Sequence, residues 1–308
     1  MDRRAFLGLL PACALPVWPG TRVAAQTPTA HRTRAILLGT AGGPSPKRGR
    51  AAPASVVLVD GVAYVVDCGN GVARQMVLAG VELNRIRHVF ITHHHSDHNA
   101  DFGTLLLLAW AAGLSTPVDM WGPPPIAQMT DLFLQMSAPD IDIRITDEGR
   151  PPLKPLIRAH DLREAGVVVK DERVTVRSAV VHHPMVPAAL AYRIDGPDRS
   201  IVFSGDTTRA DSLIALARGA DVLVHEVMYP DAYAGQAAGS ARSIAKHILE
   251  SHTPVEDVGK IAQEAGVKTL VLSHYVPDNN ADAEQAWLPL ARRHFKGEVI
   301  AGRDLMEI

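Results

Sequence analysis

"ITHHHSDHNADFG", Ile91 to Gly103, places four histidines and two aspartates within thirteen positions. An apolar run, "HVFIT" (His88 to Thr92), precedes it and reads as a buried strand. "DFGTLLLLAWAAG" (Asp101 to Gly113) overlaps its end and reads as a buried helix. The polar cluster therefore occupies a loop leaving the C-terminal end of a strand. Imidazole and carboxylate are the nitrogen and oxygen donors that divalent zinc takes. In such a loop His93 and His95 point one way and Asp97 and His98 another, so His-x-His-x-Asp-His can serve two adjacent metals. His94 is expected to face outward. Two neighbouring metals also need a bridging carboxylate and further histidines. Three other apolar runs end on such residues: "VHHP" at His182 and His183, "FSGD" at Asp206 and "LSHY" at His274.

The whole chain suits a buried site of this kind. Its 308 residues are 47% hydrophobic and 21% charged, enough for one large domain with a substantial core. A formal net charge of −2 offers no basic field for phosphate neutralisation, so no nucleic-acid partner is expected. The fourteen histidines are the compositional outlier and fall mostly in clusters.

Residues 1–25 read as an address. Arg3 and Arg4, then Phe6-Leu7 and a short apolar run, resemble a twin-arginine export signal, with "VAAQ" offering cleavage after Ala25. Pro11 and Pro16 break the run, so no stable membrane span is expected. Cys13 leaves a lipoprotein anchor as the less favoured alternative. The expectation is a periplasmic protein whose domain covers residues 26–308. Cleavage would leave Cys68 as the mature chain's one cysteine, without a disulfide partner.

Along the mature chain, "RAILLG", "ASVVLVDG" and "AYVVDCG" read as three strands, with Asp60-Gly61 turning a hairpin. "GVARQMVLAG" reads as a short helix. The second half repeats this order: strands in Val167 to Pro184 and Ala189 to Asp206, helix "ADSLIALARGA", strand "DVLVHEVM", a helix capped at Thr253-Pro254, and strand "KTLVLSHY". The tail reads as a helix containing Pro289 followed by a hairpin. Strands then helices, twice, suit two facing sheets with helices outside, an αβ/βα sandwich. Pro117 to Arg163, rich in proline, reads as the least regular stretch, either a substrate-side insertion or a solvated connection.

"THHHSDH", "HHP", "SGDTT" and "LSHY", in this order and with "LGTAGGP" at Leu38 to Pro44, resemble the metallo-β-lactamase superfamily of binuclear hydrolases. The resemblance implies an α/β, four-layer αβ/βα sandwich. It implies that His93, His95 and His183 hold one metal, that Asp97, His98 and His274 hold the second, and that Asp206 bridges them. His183 is preferred to its neighbour because it directly precedes the proline stretch, and adjacent strand residues face opposite ways. Two divalent ions, zinc or else manganese or iron, would then provide a bridging hydroxide for attack on an anionic ester. Asp97 would also orient that nucleophile. His252, in "SHTP", stands where related phosphodiesterases carry a proton donor, with a capping or surface role as the alternative. Glu226, in "HEVM", would orient it. His31, His88, His160, His225, His247 and His294 are expected to be structural or superficial.

The resemblance leans to the branch holding RNase Z and metal-dependent arylsulfatases. A short His183–Asp206 link with no room for a tRNA-binding arm, export and near-neutral charge weigh against RNase Z activity. The expected substrate is a small aryl sulfate or phosphodiester, with an apolar wall near Trp121. A lactonase or thioesterase, an RNase Z-like endonuclease and a non-catalytic metal-binding protein remain alternatives. The family often forms dimers, so a homodimer is possible on the resemblance alone.

Overall fold

The computed structural model describes residues 31–233, 244–277 and 281–308. Residues 1–25, expected to be an export signal, lie outside them. Six strands and five helices make the first half: β1 (Thr33–Gly39), β2 (Ala54–Val59), β3 (Val62–Val66), α1 (Val72–Leu78), β4 (Ile86–Phe90), α2 (Ser96–Asn99), α3 (Phe102–Ala111), β5 (Val118–Gly122), α4 (Ile126–Met136), α5 (Ala138–Glu148) and β6 (Ile157–Asp161). The second half runs β7 (Gly166–Lys170), β8 (Thr175–Val181), β9 (Ala189–Asp195), β10 (Ser200–Phe203), α6 (Asp211–Ala217), β11 (Val222–Met228), α7 (Ile244–Ser251) and α8 (Val255–Ala265). It closes with β12 (Thr269–Val276), α9 (Ala281–Arg292), β13 (Glu298–Ala301) and β14 (Met306–Glu307).

These strands form two seven-stranded sheets, ordered β14-β1-β2-β3-β4-β5-β6 and β13-β12-β11-β10-β9-β8-β7. Their facing sides share one core, in which Leu37, Val57, Tyr64 and Phe90 meet Tyr192, Ile201 and Val271. On the outer side of the first sheet, Met76, Leu105 and Ile126 pack α1, α3 and α4 onto the strands. On the outer side of the second, Leu213, Val258, Ile261 and Leu288 do the same for α6, α8 and α9. Each sheet thus buries both faces, which explains why its strands read as continuous apolar runs rather than alternating ones. Helix, sheet, sheet, helix is the expected four-layer sandwich. No helix among the described residues is long and apolar enough to cross a membrane.

Three local expectations fail. The tail is no hairpin: β13 pairs with β12 in the second sheet, whereas β14 pairs with β1 in the first. The chain end therefore ties the two sheets together. Pro117 to Arg163 is regular, contributing β5 and β6 as parallel strands of the first sheet with α4 and α5 between them. Its prolines lie at element boundaries, where missing N–H groups cost little. Thr253 does not cap α8; its hydroxyl donates to the Thr207 carbonyl at 2.6 Å, and its N–H to Glu226 at 2.7 Å.

Candidate metal centre

Parallel strands β3 and β4 end side by side, and the histidine loop leaves there. Asp67, just past β3, holds the loop in place. Its buried carboxylate accepts the Thr92 N–H at 2.8 Å, the Thr92 hydroxyl at 2.9 Å and the His98 Nδ1–H at 2.8 Å. The Cys68 N–H donates to the His98 carbonyl, and Gly69 lies so close that a Cβ there would sit 2.3 Å from the Asp97 carbonyl oxygen. Across the sandwich, the Leu190 N–H on β9 donates to the Thr92 carbonyl, and the Tyr192 hydroxyl to the Ile91 carbonyl. The loop is thereby locked to both sheets.

The second sheet delivers one residue per strand end. His183 follows β8, and its Nδ1–H donates to the Ser251 carbonyl at 3.0 Å, which leaves Nε2 with its lone pair. Asp206 follows β10 after Gly205, whose φ of +59° and close approach to the Leu190 carbonyl oxygen exclude a side chain. His274 sits on β12 at φ 47°, where the register with β11 slips between Glu226 and Val227. That bulge turns its ring out of the ladder and toward the cluster.

All seven expected donors meet. His93 Nε2 and His183 Nε2 lie 3.1 and 3.3 Å from His95 Nδ1. A tetrahedral zinc with arms of about 2.0–2.1 Å has nitrogen–nitrogen edges of roughly 3.3 Å, so the spacing fits a shared ion. His274 Nε2 is 3.4 Å from Asp97 Oδ2 and 3.3 Å from Asp206 Oδ2, while His98 Nε2 is 3.3 Å from Asp206 Oδ1. Asp206 Oδ2 also comes within 3.9 Å of His93 Nε2, so its carboxylate lies between both donor groups. His182, by contrast, is exposed. His94 does not simply face outward: half-buried, its Nε2–H donates to the Pro123 carbonyl at 2.7 Å and its Nδ1 accepts from Asn99 at 3.1 Å.

Two observations test the fit to metal. Asp67, Asp97, Asp206 and Glu226 are all buried, and among the described residues none pairs with a lysine or arginine. So much buried negative charge calls for cations. Three of the imidazoles are also prepared as lone-pair donors, whereas at His98 burial is outweighed by Asp206, Asp67 and Asp97, which raise its pKa well above the ordinary value. Burial lowers the pKa values of His93, His95 and His183, the first of them furthest. Burial would raise the Asp97 and Asp206 pKa values, but neighbouring histidines hold both well below the usual carboxylate range. The residues fit a pair of divalent ions, and zinc suits this nitrogen-rich set.

His252 stands beside the cluster, its Nδ1 3.3 Å from Glu226 Oε2 and 4.0 Å from Asp206 Oδ2. Burial lowers its pKa, but the two carboxylates outweigh that and push it up to about 9. Glu226 is fixed in turn by the Thr253 N–H. Imidazole and carboxylate thus stand close to one another and to the donor cluster.

A cleft of about 420 Å³ opens over the donors, with Ile244, Ile248, Val276 and Pro277 on its apolar side and Lys47 on its rim. Trp121 is elsewhere: it stacks on His160 at 4.0 Å and its N–H donates to His88. The apolar wall belongs to α7 and the end of β12 instead. Sequence reasoning also missed His247, which lines the cleft with its ring 6.3 Å from that of His95 and 6.1 Å from that of His183.

A family model described as Beta-lactamase superfamily domain matches residues 62–275. The chain belongs to this superfamily. It is a hydrolase of the metallo-β-lactamase fold. A protein named Ribonuclease Z from Mycobacterium bovis is 35% identical over 275 residues, covering 88% of this chain and 96% of the relative. Among solved structures, human tRNase Z, short form, superposes with a TM-score of 0.67 at 21% identity, covering 89% of this chain and 98% of that one. The YhfI protein of Bacillus subtilis gives 0.65 at 20% identity, with 90% and 98% covered. The short His183–Asp206 hairpin therefore does not separate this chain from proteins named Ribonuclease Z, and the expectation of no nucleic-acid partner conflicts with that name.

Proposed function

We propose that this hydrolase cleaves phosphodiesters, RNA among them, with two divalent ions held by His93, His95, His183 and by Asp97, His98, His274, Asp206 lying between. The observation that carries the reading is Asp206, within 3.3–3.9 Å of donors from both groups. The named relatives support RNA over sulfate esters. Ions bound there supply Lewis acidity to a phosphoryl oxygen and to the attacking water. Asp97 accepts a hydrogen bond from that water and fixes its direction of attack. His252, oriented by Glu226, gives its proton to the departing oxygen. Lys47 and His247 border the cleft and are placed to meet the substrate's remaining charged oxygens.

The apolar wall of Ile244, Ile248 and Val276 favours a second reading, an aryl ester, sulfate included, seated against it. Export to the periplasm through residues 1–25 belongs to the same proposal and is supported by Arg3-Arg4 and "VAAQ". One experiment separates the readings: initial rates of the metal-loaded chain on a tRNA precursor with a 3′ trailer, bis-p-nitrophenyl phosphate and p-nitrophenyl sulfate, with Asp206→Ala as control. Phosphodiester cleavage that disappears in the control supports the proposal. Cleavage of the sulfate alone sinks it.

A further inference from the structure

At the opposite end of the same strands from the metal centre lies a second polar cavity of about 260 Å³. Its floor is one rung of the first sheet: Tyr64 on β3 is in register with His88 on β4, His88 with Asp119 on β5, and Asp119 with Arg158 on β6. Arg87 lines it from β4, and Arg173 from the turn between β7 and β8. The wall is therefore built from four strands and a turn of the folded core, not from a loose surface.

The charges in this cavity are unevenly matched. Arg158 donates to Asp119 at 2.6 Å and Arg173 to Glu172 at 2.8 Å. Arg87 is different. Among the described residues its guanidinium donates only to the Asn84 and Ile86 carbonyls, at 3.2 and 2.8 Å, and pairs with no carboxylate. Burial and the nearby Arg85 and Arg173 lower its pKa, so its closest charged neighbours repel it. Beside it stands Tyr64, 1% exposed, with no hydrogen bond from its hydroxyl among the described residues. The Trp121 N–H donates to His88 Nδ1 at 3.3 Å, which makes His88 Nε2 the protonated nitrogen and leaves it a donor. Two carboxylates also line the hollow, but Asp119 accepts from Arg158 and His160, and Asp171 from the Arg173 and Val174 N–H groups, so the Arg87 guanidinium is the charge left unmatched, with the Tyr64 phenol and the His88 N–H beside it. A partly buried cation without a counter-charge is stabilised by a ligand that supplies one.

We propose that this cavity binds a tetrahedral oxyanion, phosphate or sulfate, at a site separate from the metal centre, with Arg87 as its principal contact and Arg173 and Tyr64 as supporting donors. Planar guanidinium groups match such an anion through paired N–H donors. The volume admits the free anion or a small monoester and excludes a polynucleotide. The site owes nothing to the proposed reaction, since its residues come from the far ends of the strands.

The test uses the metal-loaded full chain titrated calorimetrically with inorganic phosphate, alongside phosphate inhibition of phosphodiester hydrolysis. Two phosphates per chain are expected in the wild type. In Arg87→Met one of them is expected to weaken at least about tenfold, the loss of a charge-assisted contact, while the inhibition constant and basal rate stay unchanged. One phosphate per chain in both proteins overturns the proposal, as does an unchanged pair of sites in the variant. Should Arg87→Met fail to fold, Arg173→Gln, at a turn, is expected to weaken the same site alone, and unaltered binding there overturns the proposal too. Phenyl phosphate distinguishes the sources: tighter binding than phosphate at the Arg87 site assigns an ester, weaker binding the free anion.

Discussion

The two halves of the sandwich build the metal centre in different ways. The first half provides four donors from one loop, His93 to His98, and holds that loop through a single carboxylate, Asp67. The second half provides three donors from three strand ends, and each is aimed by a different device: a carbonyl of Ser251 behind His183, Gly205 before Asp206, and a bulge at His274. A site made on one side by local chain and on the other by long-range register can be broken from either side, with different consequences.

Removing Asp206 strikes hardest, because its carboxylate lies between both donor groups. Asp206→Ala is expected to lower kcat/KM on a phosphodiester more than about a thousandfold and to cost the chain part of its metal. His98→Ala removes a donor from one group only. Metal content by plasma mass spectrometry should show one ion retained in His98→Ala and fewer than two, loosely held, in Asp206→Ala. Equal metal content and equal rates in the two variants would mean the halves contribute independently and Asp206 bridges nothing.

His252 tests the second half without removing a proposed donor. His252→Ala should reduce kcat by about 10²–10⁴-fold on a poor leaving group such as an RNA oxygen, and far less on p-nitrophenolate, which departs without a proton. Metal content should not change. Glu226→Gln should show a smaller loss with the same leaving-group dependence. A loss independent of leaving group would make the pair structural.

Asp67 tests the first half from behind. In Asp67→Asn the His98 Nδ1–H and Thr92 lose a charged acceptor, and metal affinity is expected to fall by about 10–100-fold, measured by chelator competition. The residue also shows where the sequence stops speaking. "THHHSDH" is legible because donors spaced within one loop need no knowledge of the fold. "VVDCG" looks like any strand end, and only the parallel pairing of β3 with β4 brings Asp67 under His98. Similarly, "EVIAGRDLMEI" has a hairpin's local pattern, and nothing local says that its two strands join different sheets. His247 lies on a helix whose facing partner is a loop from the other half. The donors of the second half were found by resemblance in order along the chain; their convergence is a property of the register.

That register suggests the gentlest test. Asp221, at the start of β11, accepts the Ser200 N–H and hydroxyl from β10 and the Lys268 ammonium beside β12, clamping the strands whose far ends carry Asp206 and His274. Burial would raise its pKa, but Lys268 and Ser200 hold it at about 2, below the ordinary 3.8. A carboxyl depressed on folding adds stability that is complete above its unfolded value and is lost as pH falls through the folded one. Asp221→Asn should therefore cost about 1 kcal/mol near pH 7, as expected for a partly exposed pair. The gap from wild type should stay level down to about pH 4 and close toward pH 2. Denaturant melts across that range measure it. If the clamp also sets the site, the variant will bind metal more weakly at pH 7 although its substitution lies at the wrong end of the strand. If only the melts change, the bulge and Gly205 aim their donors by themselves.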